Sequence, residues 1–252
     1  MVWETMCKSI EDGLQATGVL PGPLRLERKA KMLYENVSAD EIPQMQELRL
    51  ICSYAFAISE QNADNGTIVT APTCGSCGVL PSALRYMQGK YNYSDDEIVR
   101  ALAVAGLIGN LIKRNASISG AECGCQAEIG TASAMAAGAL VALRDGTGQQ
   151  IGHAVAMALK NLMGLVCDPV AGLVEVPCVK RNVIGAVNAI SAADMALAGI
   201  ESRIPVDEVI DAMGEVGRRM PVEFRETALG GLAATPTGRR VKQQMQPGAP
   251  EF

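Results

Sequence analysis

The chain has 252 residues and a formal net charge of −5 at pH 7. Hydrophobic residues make up 48% of it and charged residues only 19%, which excludes a disordered chain, and the acidic balance argues against a nucleic-acid binder. Aromatic residues are scarce at 4%, whereas Ala, Gly and Met are abundant. This composition favours closely packed helices over a β-sandwich, so we predict a single all-α domain over residues 1–246. Residues 247–252 are predicted to be a flexible tail or a remnant of cloning.

Apolar residues at helical spacing, together with helix start and stop signals, predict most of the elements. The predicted helices cover residues 3–14, 42–60, 82–87, 95–112, 126–143, 152–162, 177–195 and 206–217. Three acids at 95–97 suit the first turn of one helix, and Pro177 suits the first turn of another. Residues 62–77 are predicted to form a loop with a short β-like stretch at 67–70. Gly and Pro residues between 230 and 238 predict a final loop.

The least polar run of the chain lies between Glu128 and Arg144 and has 15 residues. A membrane span needs roughly 20 residues, so this run predicts a buried core helix, and we expect no membrane partner. The N-terminus has no basic stretch followed by an apolar one, so no secretory signal is visible. We therefore expect a cytoplasmic protein in a reducing compartment, where its eight cysteines favour metal or cluster ligation over disulfides.

Three cysteines, Cys125, Cys167 and Cys178, stand in loops of small residues that are predicted to open helices. Free N–H groups and the helix dipole at such a position stabilise a thiolate, which is the form that binds metal. Three thiolates on one iron–sulfur cube would leave its fourth iron open for Lewis-acid chemistry on a substrate. From the residues alone, cluster ligation, buried structural cysteines and a redox pair all stay open.

The other five cysteines fit simpler roles. Cys7 and Cys52 lie on predicted helices and are interpreted as small core residues. Cys74 and Cys77 have the spacing of a redox dithiol but no β-α-β pattern around them, so we expect them to line a binding site instead. Cys123 stands one residue from the loop position of Cys125, and its role is left open.

His153 is the single histidine of the chain and lies in an Ala-rich helical stretch. A general base is one interpretation, because histidine titrates near neutral pH. A packed or surface histidine is the expectation here, since the cysteine loops are distant in sequence. With no second histidine, a Ser-His-Asp hydrolase and a multi-histidine zinc site are poorly supported.

Several stretches of the chain resemble the α chain, or α domain, of the bacterial iron–sulfur L-serine dehydratases. The matching segments are 70–78 (TAPTCGSCG), 115–121 (NASISGA), 124–128 (GCQAE), 159–182 (LKNLMGLVCDPVAGLVEVPCVKRN), 225–227 (RET) and 230–238 (GGLAATPTG). The resemblance covers most of the chain, and the block that includes Cys167 and Cys178 is its most specific part.

The resemblance implies an all-α domain that holds a [4Fe–4S] cluster through Cys125, Cys167 and Cys178. The implied reaction is β-elimination of water from L-serine, which gives aminoacrylate and then pyruvate and ammonia, without pyridoxal phosphate. The residues expected to bind substrate are Thr73, Gly75, Ser76, Ser117, Ser119 and Arg181. Among them, Arg181 or a helix N-terminus is expected to hold the substrate carboxylate. The catalytic base is not identified.

The resemblance also implies a partner. The family has a β chain or β domain with a Ser-Ser-His-Thr-type motif, which this chain lacks. We therefore expect one component of a two-component enzyme, either a subunit or an excised domain, in an oligomer. Two alternatives remain at this stage. One is a related cluster-dependent lyase acting on L-cysteine or L-threonine, and the other is a non-catalytic iron–sulfur interaction subunit.

Overall fold

The computed structural model describes residues 1–245, so the predicted tail at 247–252 lies outside the described residues. This part of the chain contains eleven α-helices and no β-strand, which confirms the all-α prediction. The helices are α1 (Val2–Gln15), α2 (Ala30–Glu35), α3 (Pro43–Ala63), α4 (Val79–Tyr91), α5 (Asp95–Asn115), α6 (Gly120–Cys123), α7 (Thr131–Leu143), α8 (Gly148–Asn161), α9 (Cys178–Leu197), α10 (Val206–Arg219) and α11 (Pro236–Gln244).

Helix α7 is the centre of the core and packs against α4, α5, α8 and α9. It is apolar all round, and 12 of its 13 residues are buried, which confirms a core helix within the apolar run. Small side chains allow its neighbours to approach closely. A Cβ at Gly138 would lie 2.2 Å from Cδ1 of Ile108 on α5, so a larger residue would have to displace the Ile108 side chain. Among residues 1–245, no helix is both long enough and apolar enough to cross a membrane.

Helix α1 packs closely against α3 at Gly13, and this contact predicts how a larger residue there would change stability. A Cβ at Gly13 would lie 2.4 Å from the Ala57 carbonyl oxygen, and backbone cannot move aside as a side chain does. We expect Gly13→Ala to lower the free energy of unfolding by about 1–3 kcal/mol in urea denaturation. Gly106→Ala on α5 is the matched control, because no heavy atom lies within 4 Å of its Cβ position. It should raise stability by about 0.5–1 kcal/mol, and equal losses in both variants would contradict this packing.

Local sequence signals account well for α5 and less well for α8. Helix α5 begins at Asp95 with three acids in its first turn, as predicted, and Ser94 forms a capping box with one of them, Glu97. The same device, Thr147 with Gln150, starts α8 four residues before the predicted helix. Helix α9 begins at Cys178, with Pro177 as its N-cap residue rather than inside the first turn.

Two predictions of secondary structure were wrong, and one helix was missed. Residues 67–70 form no strand in the structure. Pro236 does not lie in a loop but starts α11, because proline fits the first helical turn and Thr235 caps the helix by accepting from the Gly238 N–H. Helix α2 was missed. Its first N–H groups, those of Lys29 and Ala30, are bound by the Glu60 carboxylate of α3, a contact that local sequence does not reveal.

Candidate active site

Cys178 begins α9 and is 8% exposed. One turn later, the buried Asn182 amide donates hydrogen bonds to the carbonyls of Cys178 and Gly75, both at 2.8–2.9 Å. Its Oδ1 accepts from the Gly78 N–H at 2.9 Å. Asn182 therefore fastens the 73–78 loop to the helix turn that carries Cys178.

Cys125 lies directly before a π-helical turn, Gln126–Gly130, that leads into α7. The preceding Gly124 has a φ of +73°, a conformation that favours glycine. The Gln126 backbone N–H donates to Leu165 O at 2.9 Å, and its fully buried side chain accepts from the Gly164 N–H at 2.8 Å. Gln126 thus joins the Cys125 turn to the segment that leads to Cys167.

Cys167 is 3% exposed and lies in an extended segment that pairs with the 224–226 segment. Its N–H donates to Phe224 O at 2.8 Å, and the Glu226 N–H donates to Cys167 O at 2.9 Å. Cys167 therefore does not open a helix, unlike Cys178. Its backbone is fixed instead by this two-bond bridge to residues 224–226, which overlap the matching segment 225–227.

Arg181 and Asp168 form an ion pair beside Cys167, with 2.9 Å between Nη2 and Oδ1. Arg181 Nη1 also donates to Val166 O at 2.8 Å. The second oxygen of Asp168 accepts from the Leu232 N–H at 2.8 Å. Arg181 was predicted to contact a substrate carboxylate. In the structure its guanidinium binds both sides of the Cys167 loop.

Burial dominates the titration of the three cysteines. It raises the pKa of Cys125 to about 12, although the nearby Arg181 guanidinium opposes the rise. Burial also raises the pKa of Cys178 to about 12, and the charges of Cys125 and Glu128 add to that increase. The pKa of Cys167 is raised by burial and then by the same two neighbours. The three thiols are thus close enough to influence one another, and metal binding would have to displace their protons.

Glu128 is a carboxyl group between the 73–78 loop and Cys167. Its Oε1 accepts from the Thr73 hydroxyl at 2.6 Å, and its Oε2 lies 3.9 Å from Cys167 Sγ. Burial raises the pKa of Glu128, and the hydrogen bond from Thr73 opposes that rise. A Cβ at Gly120 would lie 2.6 Å from Glu128 Oε2 and one at Gly75 would lie 3.1 Å from Oε1, so small residues make room for this side chain.

The serines predicted to bind substrate are mostly engaged within their own loops. Ser76 is fully buried, and its hydroxyl contacts the Ala71 carbonyl and the Thr73 hydroxyl. Ser117 donates to Glu122 and accepts from the Ser119 N–H at 3.1 Å. Ser119 is half-buried and precedes α6. The structure thus brings Thr73 and Gly75 to Glu128, while Ser76 and Ser117 hold the loop shapes.

Cys74 and Cys77 do not resemble a reactive dithiol. Cys74 is exposed, whereas Cys77 is 1% exposed and packs with Ile10 and Ile58 in a second hydrophobic cluster. Burial, followed by the charge of Cys74, raises the pKa of Cys77 to about 12. Redox-active pairs have a thiol of lowered pKa, so the structure supports the choice against that role.

The remaining cysteines and the histidine have packing contacts. Cys123 lies against α10, where a Cβ at Gly217 would approach its Sγ to 2.4 Å. Cys7 and Cys52 are half-buried rather than fully buried, because their helices α1 and α3 lie at the edge of the core. His153 lies on α8, and its Nδ1 accepts a hydrogen bond from the Ser202 N–H at 3.2 Å, in agreement with a packed histidine.

The donor set of Cys125, Cys167 and Cys178 fits an iron–sulfur cluster better than a single ion. All three are buried free thiols, the ligand type of such clusters. Within residues 1–245, no three His, Cys, Asp or Glu side chains converge tightly enough to hold one metal ion. A single zinc ion would need all its sulfurs at about 2.3 Å from the metal. Thiolates that bind different irons of one cube need not converge on a single point.

Three buried free cysteines on loops that are hydrogen-bonded to one another, within an all-α core, define a cysteine-lined candidate site. A family model described as "Serine dehydratase alpha chain" matches residues 1–233. The chain therefore belongs to the serine dehydratase alpha chain family.

Named relatives agree with this assignment. A probable L-serine dehydratase alpha chain of Bacillus subtilis is 57% identical over 197 residues, which cover 78% of this chain and 66% of the relative. A protein of the same description in Latilactobacillus sakei is 55% identical over 76% of this chain and 91% of the relative. L-serine dehydratase 1 of Escherichia coli is 45% identical over 92% of this chain and 52% of the relative. The chain thus spans about half the length of the longer relatives it matches.

Sequence reasoning missed the residues that hold the site together, which are Gln126, Glu128, Asp168 and Asn182. Each of them lies inside a stretch of family resemblance and directly follows a cysteine or stands within four residues of one. That proximity was the available signal. Their partners at residues 73–78, 164–165 and 232 are far away in sequence, so the bonds themselves were not predictable.

Proposed function

We propose that this chain is the α component of an iron–sulfur L-serine dehydratase, which eliminates water from L-serine to give pyruvate and ammonia. The observation that carries the proposal is that the family match includes all three buried cysteines and the loops that surround them. The relatives named as L-serine dehydratases supply the substrate. Their greater length, together with "alpha chain" names, supports a need for a β component, and the proposal does not involve pyridoxal phosphate.

In this proposal, Cys125, Cys167 and Cys178 hold a [4Fe–4S] cluster. The bound cluster supplies one iron without a protein ligand, a Lewis acid that makes the substrate hydroxyl a better leaving group. The chain's own contribution is to position the thiols. Gln126 links the first two cysteine segments and Asn182 fixes the third, while the Arg181–Asp168 pair prevents the Cys167 loop from moving.

The substrate is proposed to lie between the 73–78 loop and the 117–120 loop, where Glu128 separates Gly75 from Gly120. Thr73, Gly75 and Ser119 form the half-buried part of these walls, and Ser76 and Ser117 support them from within. Arg181 is proposed to attract the substrate carboxylate electrostatically, with Nη1 and Nη2 each already donating one hydrogen bond to the Cys167 loop. The base that removes the α-proton is assigned to no residue of this chain.

Anaerobic reconstitution of the full chain with iron and sulfide, followed by addition of a serine dehydratase β component, tests the function. We expect pyruvate from L-serine only when both components are present, and slower or no turnover of L-threonine and L-cysteine. Preferred turnover of L-cysteine or L-threonine would replace the substrate assignment. Stable cluster formation without any turnover in the presence of the β component would contradict the lyase proposal and favour a non-catalytic interaction subunit.

A further inference from the structure

A cavity of about 450 Å³ lies between the 20–29 segment, α3 and the start of α9. Its volume falls within the range of small-molecule sites, which is about 300–1,000 Å³. Residues 175–177, 179 and 180 form one of its walls, but none of Cys125, Cys167 and Cys178 lines it. The cavity is therefore separate from the candidate active site, although it lies directly beside the turn that carries Cys178.

The most unusual group in this cavity is the Glu175 carboxyl. The residue is 6% exposed, and its buried Oε2 has no hydrogen-bond partner among the described residues. Burial raises the pKa of Glu175, and no neighbouring charge opposes the rise. A buried carboxylate without a partner is costly, so a ligand that brings a positively charged donor would remove this penalty.

The other carboxyl groups of the cavity are already satisfied. Both oxygens of Glu60 accept backbone N–H groups, from Lys29 at 2.6 Å and from Ala30 at 3.3 Å. Glu27 forms an ion pair with the Lys29 ammonium at 3.1 Å. Among the carboxyl groups that line this cavity, Glu175 is therefore the one without a hydrogen-bond or ion-pair partner within residues 1–245.

Two cations of the cavity also lack an ion-pair partner in the described part of the chain. They are Arg25 and Lys180, both of which are exposed, and Lys180 lies on the first turn of α9. Neither approaches a carboxylate within ion-pair distance, including Glu175. The cavity thus offers one acidic and two basic groups that do not neutralise each other, an arrangement that matches a zwitterion.

The space between these charges is apolar. Leu20, Leu26, Phe56, Val176 and Val179 line it. We propose that this cavity binds an aliphatic α-amino acid, with its ammonium group on Glu175, its carboxylate facing Arg25 and Lys180, and its side chain against the apolar wall. This ligand is not the proposed substrate, because the short polar side chain of L-serine would leave that wall uncovered. The inference therefore does not depend on the proposed function.

Calorimetric titration of the full reconstituted chain with L-leucine tests the proposal. We expect saturable binding of one L-leucine per chain, unaffected by excess L-serine. Neither 4-methylpentanoate, which lacks the ammonium group, nor 3-methylbutylamine, which lacks the carboxylate, should bind comparably. Glu175→Gln should weaken L-leucine binding by about 30-fold or more, since it removes one partner of a buried charge pair. The exposed Glu201→Gln is the matched control and should leave the affinity unchanged.

Lys180→Gln covers the case in which the Glu175 variant does not fold, because Lys180 is exposed and its replacement leaves the core intact. It should weaken L-leucine binding about 3- to 10-fold without changing the weak binding of the amine analogue. Absence of saturable L-leucine binding, equal affinity in Glu175→Gln, or displacement of L-leucine by L-serine would each overturn the proposal.

Discussion

Replacement of Cys178 by Ser is expected to remove iron from the reconstituted chain and to lower L-serine dehydration more than about 100-fold in the presence of the β component. The reason is that iron–sulfur clusters are held by thiolates, and a serine hydroxyl at the start of α9 is a much weaker iron ligand. Iron and sulfide analysis, together with the visible iron–sulfur absorbance, measures the loss of the cluster independently of enzymatic turnover.

Cys52→Ser provides the matched control. Cys52 is half-buried on α3, and its replacement should leave the iron content and the absorbance unchanged. The same measurements on Cys125→Ser and Cys167→Ser should resemble those on Cys178→Ser. Full iron content in any of these three variants would remove that cysteine from the ligand set.

Asp168→Asn is expected to lower the free energy of unfolding by about 3 kcal/mol. The substitution leaves the Arg181 guanidinium beside Cys167 without its anionic partner, and a buried charge deprived of its partner is costly. Because Arg181 also holds the Val166 carbonyl, the Cys167 loop should loosen and retain less iron. Urea denaturation of the anaerobic protein and iron analysis measure the two consequences separately.

Asp194→Asn is the control for this variant, because it removes one acid of an exposed ion pair with Arg144. Exposed pairs contribute about 0–1 kcal/mol, so the control should unfold almost as the unaltered chain does. A loss of similar size in both variants would show that the Arg181–Asp168 pair has no special role in fixing the Cys167 loop.

The sequence predicted those helices whose signals are local. The acids and the capping box before α5 and the apolar residues of α7 act within a few residues of the elements they specify. Helix α2 has only six residues, fewer than an isolated helix needs for stability, and it depends on the Glu60 carboxylate from α3. Pro236 was misinterpreted because proline is common both just after the end of a helix and in the first turn of one, and here it begins α11.

For the candidate site, the family resemblance groups Cys125, Cys167 and Cys178 into one ligand set, and that grouping stays a prediction. The resemblance did not predict how the cysteines are held, since the bonds of Asn182 to Gly75 and Gly78 span more than 100 residues. The thiolate prediction from the helix dipole at Cys178 was also incomplete. Burial is the largest influence there and raises the pKa of Cys178 to about 12, although Arg181 and a backbone hydrogen bond lower it.

Mössbauer spectroscopy of the iron-57-reconstituted chain with its β component, before and after addition of L-serine, tests the central claim most directly. We predict a cluster in which L-serine changes the signal of one iron and leaves the other three unchanged, because the proposal assigns one iron each to Cys125, Cys167 and Cys178. A protein that retains no iron, or a cluster whose four irons are all unaffected by saturating L-serine, would contradict the account.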